Sequence, residues 1–132
     1  MDSLAAARQL EAEGKIGSAI DLLERAVALG EEDATLCKEI ARMCLVIDEV
    51  RAFANWCHEA IRLNPSDGEP YLMMARRLST TSRWEEAIEA LNEALGTGAL
   101  NAGQIEEANI LLEVAQRNFQ RWKRDHPGAS NL

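Results

Sequence analysis

Three arginines, Arg8, Arg42 and Arg76, stand 34 residues apart in a chain whose formal net charge is −8. A guanidinium is planar and always charged, and it presents a fork of donors that fits a carboxylate. A periodic row of them could hold an acidic partner, or the backbone carbonyls of an extended one. The same residues could equally be ordinary helix-surface arginines paired with nearby glutamates such as Glu11 and Glu39.

A second group with chemical potential is Cys37, Cys44, Cys57 and His58. Zinc needs four ligands converging at about 2.0–2.3 Å, usually supplied by closely spaced pairs. No CxxC pair occurs, and the three cysteines fall at positions that are apolar or small elsewhere in the chain. Free cysteine behaves as a small buried hydrophobe, so these residues are assigned to the core and no metal or other cofactor is expected. Nothing suggests catalysis: there is no GxSxG, no HExxH and no glycine-rich phosphate loop. The acidic pairs Glu85-Glu86 and Glu106-Glu107 fall near expected helix starts, where negative charge complements the helix dipole.

Composition narrows the class. The 132 residues are 47% apolar, with three prolines and a pI near 4.8. Such an acidic chain is a poor match for nucleic acid, whose phosphates call for a basic surface. No apolar run reaches the roughly 20 residues of a membrane span, so membrane insertion is not expected. The opening MDSLAAARQL has no basic region followed by an apolar one, so no signal peptide is read. An odd number of cysteines suits a reducing compartment, and a cytoplasmic location is expected.

The elements that would carry these residues repeat. Ala19, Phe53 and Ala87 are 34 residues apart, as are Ala26/Ala60/Ala94, Leu23/Cys57/Leu91, Ile20/Ala54/Ile88 and Ile16/Val50/Trp84. Upstream, Ser3/Cys37/Tyr71, Ala6/Ile40/Met74, Ala7/Ala41/Ala75 and Leu10/Cys44/Leu78 keep the same step. The chain is therefore read as three repeats, about 1–33, 34–67 and 68–101. Each repeat is two helices: Asp2 to Glu13 and Ile16 to Leu29, Asp33 to Ile47 and Val50 to Leu63, Asp67 to Thr80 and Arg83 to Leu95. Asn64-Pro65 stops the fourth helix, since proline lacks the amide a continuing helix needs. A seventh helix, about 104–124, carries Ile105, Ala108, Leu111, Leu112, Ala115 and Phe119 at helical spacing, and a tail, 125–132, is expected to be flexible.

The period of 34, the small residues Ala7/Ala41/Ala75 and Ala26/Ala60/Ala94, the small Ala19 and Ala87, and Asn64-Pro65 resemble the tetratricopeptide repeat (TPR) family. The resemblance covers residues 2 to about 98, with the seventh helix in the place of a capping helix. Phe53 departs from the pattern, standing where the family has a small residue; it could fill space left by Ala41, Cys44 and Cys57. The first and third repeats also lack the proline that usually follows the second helix. The resemblance implies one all-α domain over 1–132, a right-handed α-α superhelix of seven helices. The first helix of each pair would line a concave groove for a peptide or helical segment of another protein.

At 100° per residue, Tyr71, Met74, Ala75 and Leu78 should face the core of the third repeat. Glu69, Leu72, Met73, Arg76, Ser79 and Thr80 should face the groove. The candidate groove residues are therefore Arg8, Arg42 and Arg76 with Lys38, Leu4, Leu45, Leu72 and Met73, and Val46 and Ile110 add apolar surface. Arg42, the central member, is expected to affect binding strongly and stability little. A two-carboxylate clamp for chaperone tails is not expected: its positions are Leu4, Arg8, Glu39, Glu69 and Met73, and only Arg8 has the right chemistry. The expected function is a non-catalytic adaptor or scaffold with a protein partner, an acidic one if the arginines bind it. A dedicated chaperone of a secreted protein and a self-associating scaffold are the alternatives. The basic, aromatic end from Phe119 to His126 could pack on the last repeat or form a second contact surface.

Overall fold

A computed structural model describes residues 2–129, which form seven helices and no strand. They are α1 (Ser3–Ala12), α2 (Ile16–Ala28), α3 (Ala34–Val46), α4 (Val50–Leu63), α5 (Glu69–Thr80), α6 (Trp84–Gly96) and α7 (Ala102–Asp125). The expected all-α class and helix count are what the structure has. The chain divides into two compact units, Met1–Asn64 and Pro65–Leu132, the first holding α1–α4 and the second α5–α7.

Local chemistry sets the helix ends. The carboxylate of Asp2 accepts from the Ala5 amide at 2.7 Å and that of Asp33 from Thr35 at 2.7 Å. Each satisfies an amide that has no partner within its helix. Asn101 and Gln104 cap α7 reciprocally, each side chain bonding the other's backbone amide. This capping box starts α7 at Ala102, two residues before the expected position. At the other end α7 includes Asp125, which was expected in the tail; residues 130–132 of that tail lie outside the described residues.

The repeat also appears in the backbone. Gly14, Asp48 and Ser82, one per helix pair and 34 residues apart, have φ of 79°, 61° and 60°. After each, the amide of Lys15, Glu49 or Arg83 donates to the carbonyl of Leu10, Cys44 or Leu78 at 3.0 Å or less. A left-handed residue followed by a six-to-one hydrogen bond is the Schellman ending, which satisfies carbonyls left over at a helix C-terminus. All three hairpins thus turn by the same device on three different residue types.

In the first unit α3 packs against both α2 and α4. Cys37, Cys44 and Cys57 are free thiols with no more than 2% of their surface exposed. This bears out their assignment to the core. Phe53 is buried with Ala41, Cys44 and Cys57, as expected of a large residue compensating for small ones. Leu36 and Met43 are also buried, although they lie outside the aligned core columns. A helix with neighbours on two sides buries a wider arc than a hairpin pattern predicts. Val50, in a core column, is instead 40% exposed, being the first residue of its helix.

In the second unit Leu72, Ala75, Leu91, Ala94, Leu100 and Ala108 form a buried cluster, with Tyr71, Leu111 and Leu112 packed against it. α7 contacts both α5 and α6. Gly68 fits beneath the α6–α7 connection, where an added Cβ would meet Leu100 Cδ2 at 2.4 Å and the Ala99 carbonyl oxygen at 2.9 Å. Only glycine allows that approach.

Candidate functional site

The arginine column can be built from its helices upward. Arg8 lies on α1, Arg42 on α3 and Arg76 on α5, and each bonds a glutamate of a helix other than its own hairpin partner. All three keep much of the side chain in water, 58%, 43% and 40% respectively. None is bare. In the first unit Arg42 donates from Nη1 to Glu11 Oε2 at 2.9 Å and from Nη2 to Glu11 Oε1 at 2.7 Å. It also reaches Glu39 Oε2 from Nε at 3.0 Å and from Nη2 at 2.8 Å. Arg8 makes a longer contact with Glu39, 3.4 Å. One cluster of two arginines and two glutamates therefore ties α1 to α3.

The second unit repeats the device in the other chain direction, with the arginine reaching forward to α7 instead of back to α1. Arg76 donates to Glu107 of α7 at 2.5 Å from Nε and 2.8 Å from Nη2, and to Glu69 at 2.9 Å from Nη1. The sequence suggests Glu11 and Glu39 as partners; the structure adds Glu69 and Glu107. A signal was available, since Glu39 follows Arg8 by 31 residues, Glu107 follows Arg76 by 31, and Glu11 precedes Arg42 by 31. That separation joins a helix to the next helix but one, so it appears only when the repeat is offset.

Charge pairing moves the titrations as expected. Hydrogen bonding from Arg42 holds the Glu11 carboxyl below its usual range, and Arg76 does the same to Glu107. The arginines are raised in turn, first by Glu11 and first by Glu107. In the core the thiols move up: burial pushes Cys37 to about 11 and Cys57 to about 12, and raises Cys44 too. Such thiols are poor nucleophiles and poor ligands near neutrality.

The remaining candidates separate. Lys38 and Leu45 on α3 and Met73 on α5 are partly exposed, Leu4 is partly buried on α1, and Val46 is 65% exposed. Leu72 must be corrected. It was expected on the open side of α5, but it is fully buried in the second unit's cluster. α7 lies against α5 and covers the arc that holds Leu72, so the capping helix turns an outward position into core. Arg76 survives on the edge of that contact because Glu107 meets its charge there.

No group of three or more His, Cys, Asp and Glu side chains is placed to hold a metal among the described residues. No helix among them is long and apolar enough to cross a membrane.

No family model matches the sequence, and no curated protein matches it. Its fold does match solved structures. One crystal structure of MamA protein aligns over 96% of this chain and 76% of its own, with a TM-score of 0.62 and 20% identity. A second, of MamA, aligns over 92% of this chain and 79% of its own, with a TM-score of 0.62 and 19% identity. MamA is TPR-like, and the likeness at this identity is one of fold.

Proposed function

We propose that this chain is a non-catalytic protein-interaction module of the TPR-like kind, acting as an adaptor or scaffold. The proposed binding residues in the first unit are Arg8, Lys38, Arg42, Leu4 and Leu45. Those in the second unit are Arg76 and Met73. The observation that carries the reading is the arginine column itself: three guanidinium groups at one period with 40% or more of each side chain exposed, two of them held by glutamates. The TPR-like fold of the structural neighbours supports it.

The pairing refines the partner's chemistry. Arg42 and Arg76 are already matched by glutamates, so a partner carboxylate would have to compete with Glu11 or Glu107. Arg8, with one long contact and the greatest exposure, is the arginine most open to an incoming carboxylate. A segment offering backbone carbonyls and apolar side chains, with a single acidic group near Arg8, suits the first unit better than a polyacidic tail.

The test is affinity capture from the source cell, followed by calorimetry of the purified partner segment against variants. Lys38→Glu and Met73→Asp change partly exposed positions and remove no arginine or glutamate of the pairs. Each should weaken binding by about tenfold or more. Unchanged affinity in both would move the recognition surface elsewhere.

A further inference from the structure

α7 carries a second feature that does not depend on the arginine column. Ile110, Val114, Arg117, Arg121 and Arg124 follow one another at steps of four, three, four and three residues, and all five are exposed. At 100° per residue they fall within about 80° of one another, on one stripe some 21 Å long. The four-three alternation is the spacing by which one helix meets another along a coiled-coil seam. Its first two members are aliphatic and unusually open, Ile110 at 57% and Val114 at 39%. Its last three are cations in a chain of net charge −8.

The helix dipole accounts for only part of this, because its influence fades within the last turn. The last turn contains Lys123 and Arg124; Arg117 and Arg121 lie before it. Arg117 meets Glu113 at 2.9 Å in a pair that is largely in water, 63% and 72% exposed. Such pairs contribute little and exchange readily. Arg121 and Arg124 have no ion pair among the described residues. Elsewhere around the helix, Phe119, Trp122 and His126 stack with centroid separations of 6.3 and 4.5 Å, and Lys123 lies over Phe119. At 100° per residue these rings lie on the opposite side of the helix, so they leave the arginine stripe uncovered.

We infer that the outer stripe of α7 is a docking seam for an amphipathic acidic helix of a partner protein. Two aliphatic residues of that helix would cover Ile110 and Val114, and acidic residues at the same spacing would face the three arginines. Charge complementarity selects this occupant. From Arg117 to His126 four cations face one anion, Asp125, so the rest of the chain carries −11. A short acidic helix meets only the basic stripe, whereas a nucleic acid or an anionic bilayer would also meet the acidic bulk. A second copy of α7 is disfavoured, since parallel pairing sets arginine against arginine and antiparallel pairing sets Ile110 against Arg124.

The test uses the full chain and two labelled helical peptides. Each has two leucines and three glutamates at four-three spacing, one in the order for parallel docking and one for antiparallel. Fluorescence anisotropy should show one of them binding, more weakly as salt rises. Arg121→Glu with Arg124→Glu should lower its affinity by at least about tenfold, and Ile110→Asp should do likewise. Milder Arg121→Gln with Arg124→Gln should give an intermediate loss, and circular dichroism should stay unchanged in all three. Lys38→Glu and Met73→Asp should leave this affinity intact, which separates failure here from failure of the arginine-column reading. The inference is overturned if neither peptide binds, or if a lysine-for-glutamate peptide binds equally well. It is also overturned if phosphatidylglycerol vesicles or duplex DNA bind better than the peptides, or if the chain dimerises through α7.

Discussion

Arg42 of α3 and Glu11 of α1, 31 residues apart, are joined by two parallel N–H···O bonds of 2.9 and 2.7 Å. Fork-to-carboxylate pairing fixes both distance and orientation, so this contact helps set how one helix hairpin lies against the next. Arg42→Ala should therefore cost stability as well as any binding, contrary to expectation from its outward position. With 43% of the Arg42 side chain exposed, solvent screens the pair, and a coupling of about 0.5–1 kcal/mol is expected. A double-mutant cycle with Glu11→Gln, measured by urea unfolding, reads that coupling directly. Additive single-mutant effects would show that the pair is decorative.

Two of the left-handed turn residues, Gly14 and Ser82, predict opposite responses to gaining and losing glycine. A non-glycine residue in this region costs roughly 1–2 kcal/mol, partly offset by the greater freedom of glycine in the unfolded chain. Ser82→Gly should therefore stabilise by roughly 0.5–1 kcal/mol, and Gly14→Ala should destabilise by about as much. Nothing lies within 4 Å of a Cβ at Gly14, so its cost would come from the backbone alone. Thermal unfolding of the two variants checks both signs.

The same column shows what could be read from sequence and what could not. Periodicity of small and apolar residues located all six hairpin helices, because core burial at a 34-residue step leaves a direct trace in residue type. Turn position was legible at Gly14, Asp48 and Ser82 alike, but the last two look like ordinary polar turn residues, and only the backbone reveals the shared left-handed conformation. For the candidate surface, helical spacing turned the arginines away from the core, and their side chains are 58%, 43% and 40% exposed. It could not place Leu72, whose burial depends on where α7 lies. Gly68 was likewise silent in the sequence, since its need for close approach comes from Ala99 and Leu100, about thirty residues away.

Stability should fall at both ends of the pH scale, for different groups. Glu11 and Glu107 are depressed in the folded state below 4.5. Their contribution is present above about pH 4.5 and is lost as pH falls through the folded values. Cys37 and Cys57 are raised from 9.0 to about 11 and about 12. Stability from these thiols is complete below about pH 9 and is lost as pH rises through 11–12. Urea midpoints should be level between roughly pH 5 and 9. Glu11→Gln with Glu107→Gln should flatten the acid limb, and Cys57→Ala the alkaline one. Cys44→Ser, which buries a hydroxyl in place of a thiol, should cost roughly 1–3 kcal/mol at neutral pH.

Leu72 and Met73 are neighbours on α5 with opposite fates, and this gives the sharpest test of how α7 is used. Leu72 is fully buried in the cluster with Leu91, Leu100 and Ala108, while Met73 stays partly exposed. Leu72→Ala should cost roughly 2–5 kcal/mol, the loss of transfer energy plus a cavity. Met73→Ala should stay within about 1 kcal/mol and show its effect in partner binding. Ending the chain near residue 100 removes the α7 side of that cluster, so the shortened protein should aggregate or melt at a markedly lower temperature. In that background Leu72→Ala should lose most of its cost, since its packing partner Ala108 is gone. If Leu72→Ala is as mild as Met73→Ala in the full chain, α7 does not seal the second unit, and Leu72 returns to the open side of α5.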